Sequence, residues 1–262
     1  MRVISLSLLL VVIVGCAQEP INPSFPVSRK QAQQELHRIS SAPRKLDRPL
    51  VIIGGFADPG LGPAVVKAKL QPLIDDDRIV TVTVMFGSDF DECRAMVIKA
   101  VEAVWPSDEE GSTVEVDVIG LSMGGVVGRY AAAALPGHKR LRVARLFTIS
   151  SPLAGAQRAG VPSLDQKVID MRPGSEFLRS LSAEPLDAEL ICYTRLNDKT
   201  VGETLAAPSG QIAWWVSTPP LSLSHSGAAM DPRIIADIVR RLRGETPFTR
   251  EPAVPPPGAQ ST

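Results

Sequence analysis

The stretch Val116-Asp117-Val118-Ile119-Gly120-Leu121-Ser122-Met123-Gly124-Gly125 decides the architecture of this chain. With the two residues before it, its first half reads as a strand over 114–119 that leads into Gly120. A segment of helical character follows, from about Ser122 to Leu135, and stops at Pro136-Gly137. A serine held between two glycines at a strand-to-helix junction sits on a strained turn. Gly120 and Gly124 must then be small so that backbone and helix can approach closely. Such a turn lifts the Ser122 hydroxyl clear of the sheet and beside a helix N-terminus, where developing negative charge is favoured. Ser122 is therefore the candidate nucleophile.

Working outward, strand-like and helix-like segments alternate. Leu50-Val51-Ile52-Ile53 is an apolar run stopped by Gly54-Gly55, and residues 79–86 form a second strand. Ser88 resembles a helix N-cap with Asp91 three positions on. Cys93, Met96, Val97, Ala100, Val101 and Val104 then share one helical face, ended by Pro106. Residues 143–149, 190–194 and 212–216 complete the strands. Asp231-Pro232 opens a closing helix whose apolar stripe is Ile234, Ile235, Ile238, Val239 and Leu242. This alternation predicts an α/β class fold, a mainly parallel sheet of about six strands with helices on both faces. Chemistry in such sheets belongs in the loops after the strands.

Serine needs an adjacent base to act as a nucleophile. The chain has three histidines. His37 lies in a polar N-terminal stretch and His138 in the loop 137–140. His225 follows the last strand and precedes the final helix, in the order Ser, acid, His. Asp198 directly follows residues 190–195 and is the favoured orienter of the imidazole. Asp165, Asp170 and Asp187 compete from a less regular stretch. Backbone N–H groups of Met123 and of Phe56, in Gly54-Gly55-Phe56, are the expected oxyanion donors.

Composition bounds the rest. A chain of 262 residues, 44% hydrophobic and 21% charged, suits one domain with a sizeable core. Basic and acidic residues balance at 28 each, and aromatics are 5%. No basic patch or stacking surface points to nucleic acid. No metal-ligand cluster or phosphate-binding loop stands out, so neither a metal nor another cofactor is implied. The N-terminus carries Arg2, then an apolar run from Val3 to Val14, too short for a membrane span of about 20 residues but suited to a secretory signal. It ends in Ile13-Val14-Gly15-Cys16, which resembles the lipobox of bacterial lipoproteins. The alternative is a plain signal peptide. The resemblance implies a signal peptide over 1–15, acylation of Cys16 and a cell-envelope location on the periplasmic face. Ala17 favours the outer membrane. Residues 16–47 read as a tether, rich in Pro, Asn and Ser over 18–26, in which 29–39 could form a short polar helix without a strong apolar stripe. Cys93 and Cys192 read as buried apolar residues, with a disulfide as the alternative. Residues 244–262, with Pro255-Pro256-Pro257, read as a disordered tail.

Together these motifs are similar to bacterial lipases and esterases of the α/β-hydrolase superfamily, including the group related to inositol deacylases. The resemblance runs over about 48–243, through residues 53–56, 120–125, 148–152, 197–201 and 224–226. Gly54 stands where such proteins commonly carry the histidine of a His-Gly pair. The resemblance implies a carboxylic ester hydrolase working through an acyl-enzyme, on an apolar or lipid-like acyl ester, as a monomer. An envelope acyltransferase with the same residues, or a non-catalytic binding lipoprotein, are the alternatives. Residues 152–186 are the one insertion able to cover the site, as a lid or as a small packed cap. Phe56 and Leu61 could line an acyl pocket, and at least one of Trp214 and Trp215 must pack inward, since neighbours in a strand face opposite ways.

Overall fold

The computed structural model describes residues 20–259. Cys16, the apolar run before it and the expected signal peptide lie outside the described residues. The elements are α1 (Arg29–Ser40), β1 (Leu50–Ile53), α2 (Leu61–Leu70), β2 (Ile79–Val82), α3 (Phe90–Val104), β3 (Val116–Leu121), α4 (Met123–Ala132) and β4 (Val143–Ile149). After these come α5 (Gln166–Asp170), α6 (Glu176–Ala183), β5 (Glu189–Arg195), β6 (Trp214–Val216), α7 (Ser224–Ala228) and α8 (Pro232–Leu242).

The six strands form one sheet, ordered β2-β1-β3-β4-β5-β6 and parallel throughout. The apolar runs explain why both faces are covered. Leu50 and Ile52 pack with α1, α2 and α8, whereas Val51 and Ile53 pack with α3 and α4 on the other face. All four are fully buried, as the unbroken run in β1 requires. The order places β1, β3 and β4 at the centre, and the segment carrying Ser122 leaves from β3.

Several boundaries differ from expectation. β2 ends at Val82, because residues 83–87 turn away, with Gly87 N–H bonding Val84 carbonyl. The N-cap of α3 is Asp89, whose carboxylate accepts Glu92 N–H at 2.9 Å, while Glu92 accepts Ser88 N–H at 2.8 Å. The capping device is thus present one residue later than read. Cys93 and Cys192 are both free and buried, and burial pushes their thiols up to about 11 and about 12.

Two segments read as loose are part of the body. Within the expected tether the short helix is present as α1, started by a reciprocal capping box of Ser28 and Gln31, but it is packed rather than free, with Ala32 and Ile39 buried against α8. The stripe is only two residues wide, too narrow to register as amphipathic. The expected tail is pinned as well. Trp215 Nε1 donates to Val254 carbonyl at 2.8 Å, Val254 N–H to Ser24 Oγ at 3.0 Å, and Thr249 N–H to buried Asp237 at 3.0 Å. Trp214 and Trp215 are both buried, Trp214 within the sheet face that carries α8. Asn22 Nδ2 donates to the Trp215 carbonyl at 2.9 Å, so the segment ahead of α1 takes up a backbone acceptor of edge strand β6 that would otherwise be left open.

Residues 152–186 form a packed cap. Phe177 stacks on Phe90 with ring centroids 4.4 Å apart, Leu178 and Leu181 are buried, and Arg129 donates to the carbonyls of Leu181 and Glu184.

Candidate active site

β3 delivers Ser122 into the loop edge of the sheet at φ 50°, ψ −125°, with α4 starting at the next residue. The conformation is strained for any residue with a Cβ and persists because its neighbours over-determine it. Ser122 N–H bonds Ile149 carbonyl at 2.9 Å. A Cβ on Gly124 would lie 2.6 Å from Gly54 carbonyl, and one on Gly120 would lie 2.5 Å from Gly125 N. The elbow therefore closes only with hydrogen at both positions. The other non-glycine residues at positive φ, Ala57, Ser150, Asn197 and Leu221, also sit in loops that follow strands. Backbone strain in the described residues is concentrated on this edge.

The elbow meets two other loops. His225 Nε2 lies 3.0 Å from Ser122 Oγ, and His225 Nδ1 lies 2.8 Å from Asp198 Oδ2. The other carboxylate oxygen of Asp198 accepts the N–H groups of Thr200 at 2.9 Å and Val201 at 3.1 Å. Burial raises the Asp198 carboxyl pKa, but the hydrogen bond and charge of His225, helped by these N–H groups, outweigh it. The pKa is lowered overall. Asp198 is thus held as a carboxylate facing the imidazole. Of its competitors, Asp165 caps α5, Asp170 bonds Gln166 and Asp187 pairs with Arg140 on the surface.

Phe56 follows β1 in the loop lying against Ser122. A Cβ on Gly55 would come 3.2 Å from Ser122 Cβ, so the peptide leading into Phe56 borders the hydroxyl. Among the described residues neither Phe56 N–H nor Met123 N–H donates to an acceptor. Met123 is the first residue of α4, where an N–H has no partner in the helix.

Sequence reasoning missed the residues that hold His225 in place. α7, which carries it, is a single helical turn. Ser224 Oγ donates to Asn197 carbonyl at 2.7 Å, joining α7 to the Asp198 loop. Arg195, at the end of β5, donates to Ser222 Oγ at 3.0 Å and to Leu223 carbonyl at 3.2 Å. Its guanidinium also pairs with Asp231 at 2.9 Å, and Asp231 in turn binds Arg233. The sequence signal was an arginine closing an apolar strand, which is costly unless paired.

Residues 79–170 match the family described as PGAP1-like alpha/beta domain. A comparison with curated proteins found no match. Among solved structures, lipase B of Aspergillus fumigatus superimposes with a TM-score of 0.54 at 16% identity, covering 94% of this chain. The chain has the α/β-hydrolase fold. It spans 64% of the length of that lipase. A protein of Lactobacillus plantarum WCFS1 assigned as a cell surface hydrolase aligns at 13% identity and a TM-score of 0.46, over 76% of this chain and 92% of that one. An acetyl xylan esterase aligns at 14% identity and 0.35, over 74% and 97%.

Proposed function

We propose that this protein is a carboxylic ester hydrolase that forms an acyl-enzyme on Ser122. The observation that carries the reading is the continuous relay from Asp198 through His225 to Ser122, at 2.8 and 3.0 Å. In the proposed reaction Ser122 Oγ attacks the ester carbonyl carbon while His225 Nε2 accepts the hydroxyl proton. The N–H groups of Phe56 and Met123 receive the oxyanion. Collapse breaks the ester C–O bond, His225 returns the proton to the leaving alkoxide, and water repeats the sequence to release the acid. Asp198 keeps the imidazole in the tautomer that leaves Nε2 free to accept, and stabilises the imidazolium.

The exposed apolar residues support an apolar acyl ester as substrate. Phe56, Leu61, Met85, Phe86, Leu221 and Leu223 are exposed in or beside loops that follow strands, on the edge that carries Ser122. We also propose that the domain is lipid-anchored through Cys16 in a bacterial cell envelope, on the strength of the sequence over residues 3–16.

Labelling with a fluorophosphonate probe and turnover of p-nitrophenyl esters of graded chain length test the reading. Wild-type protein should label at Ser122 and hydrolyse the esters, and Ser122→Ala should do neither. Ester hydrolysis that survives Ser122→Ala would overturn it.

A further inference from the structure

The loop that presents Phe56 N–H is held firmly at both ends and weakly in the middle. Upstream, Gly54 N–H bonds Val82 carbonyl at 2.9 Å, and Gly54 itself brings no side chain to fix the turn. Downstream, the Asp58 carboxylate accepts Gly60 N–H at 2.9 Å and Gly62 N–H at 3.1 Å, and its carbonyl accepts Thr83 Oγ at 2.6 Å. Between these anchors Ala57 sits at φ 56°, and the turn is bridged by one long bond, Asp58 N–H to Gly55 carbonyl at 3.4 Å. The donor peptide therefore depends on what holds the Phe56 side chain.

That contact comes from the cap. Lys167, in α5, is 5% exposed, and its ammonium lies 5.7 Å from the centroid of the Phe56 ring. The same ammonium donates to the carbonyl of Gly87, in the loop after β2, and its nearest carboxylate is Asp165 at 3.9 Å. A buried ammonium with a single close acceptor is an expensive way to fill space. An apolar side chain of that length would pack there at less cost, so the charge itself has a use at this position. An aromatic face is a favourable partner for a desolvated cation. We propose that Lys167 is a positioning residue for the oxyanion loop, gripping the Phe56 ring from the cap while anchored to Gly87, and so aiming Phe56 N–H at the reacting carbonyl. This assignment rests on the acyl-enzyme reading of Ser122.

The consequence is a cap that takes part in rate without touching substrate. Losing an oxyanion donor outright costs about 10²–10³-fold in kcat. Loosening one should cost part of that.

The test uses full-length protein and three variants, Lys167→Met, Lys167→Arg and Phe56→Leu. Lys167→Met should lower kcat about 10- to 100-fold with KM changed by less than about threefold, since the contact matters when the oxyanion forms. Its affinity for an alkyl trifluoromethyl ketone, which captures the serine as an oxyanion adduct, should fall by a similar factor. Lys167→Arg, which keeps a cation over the ring, should recover most of both. Phe56→Leu keeps the backbone donor and removes the ring. It should match Lys167→Met, and the double variant should be no worse than either single. Wild-type kcat and ketone affinity in Lys167→Met would overturn the proposal, as would fully additive losses in the double variant. If Lys167→Met does not fold, Phe56→Leu decides alone, because wild-type rates there mean that the ring grip is irrelevant. A wild-type protein that neither labels with fluorophosphonate nor turns over esters would instead remove the reading of Ser122 on which the proposal stands.

Discussion

Arg195 and Asp231 face each other across the segment that carries His225, their guanidinium and carboxylate 2.9 Å apart and both sealed from solvent. Asp231 also binds the Arg233 side chain at 2.8 Å and caps α8 by accepting Arg233 N–H at 3.0 Å. One carboxylate thus fixes the entry to α8 and, through Arg195, residues 222–223 just ahead of the imidazole. Asp231→Asn leaves two buried cations without their charge partner. It should cost about 3–5 kcal/mol of stability, read by urea denaturation. Ester turnover should fall even under conditions where the variant remains folded, because the Ser222–Leu223 anchor loosens. Unchanged stability and turnover would show that the cluster is decorative.

Asp198→Asn tests the relay directly. Geometry is preserved, but the amide cannot stabilise imidazolium and can favour the wrong tautomer. We expect kcat to fall by about 10⁴-fold while KM changes little. Steady-state kinetics on a short-chain nitrophenyl ester would show this, and near-wild-type rates would place the orienting acid elsewhere.

Gly124→Ala and Gly111→Ala form a matched pair. A methyl at 124 collides with the Gly54 carbonyl at 2.6 Å, whereas one at 111 meets nothing within 4 Å. The first should abolish fluorophosphonate labelling or prevent folding. The second should leave stability within about 0.5 kcal/mol and activity untouched.

The C-terminal segment should prove structural. Removing residues 246–262 strips Asp237, which is fully buried, of the N–H groups of Phe248 and Thr249, and takes the acceptor at Val254 from Trp215. A loss of at least about 2 kcal/mol is expected. Denaturation of the truncated chain checks this, and a melting temperature equal to that of the intact chain would return the segment to the status of a loose tail.

Stability should fall in acid. The hydrogen bond from Arg78, opposed in part by burial, lowers Asp76 from 3.8 to about 2. Glu35, Glu115 and Glu245 are lowered as well, each beside an arginine. A carboxyl whose pKa is lower in the folded chain binds fewer protons there than when unfolded. Its contribution is complete above the unfolded value and disappears as pH drops through the folded one. For Asp76 that window runs from about pH 4 to about pH 2. Urea midpoints at pH 7, 4 and 3 should decline in that order, and Asp76→Asn should flatten the decline.

Much of this was readable from the chain because it depends on local rules. An apolar run such as Leu50–Ile53 has only one comfortable place, inside a sheet covered on both sides. A serine between glycines at the end of such a run has few alternatives to an elbow. Scarcity helped with His225, since the other two histidines lie off the strand-end loops. Asp198 was legible because it directly follows an apolar strand. The packing of the expected tether and tail was not legible, for a common reason. The residues that bury α1 are only two, and Pro255–Pro257 look like linker composition, so neither carries a period that signals packing. Their partners are remote: Ser24 meets Val254, and Ile39 packs in the cluster that includes α8.

The sequence by itself determined the alternation of six strands with several of the helices, the serine between glycines and the residue types available to work with it. Those are consequences of backbone sterics, hydrophobic period and chain order. Only the tertiary structure decided that Arg195 grips the approach to His225, that Asn22 and Val254 meet Trp215 on β6, and that Lys167 reaches the Phe56 ring. Each of these joins groups dozens to hundreds of residues apart. A buried charge announces in sequence that it must be paired, but packing alone selects its partner.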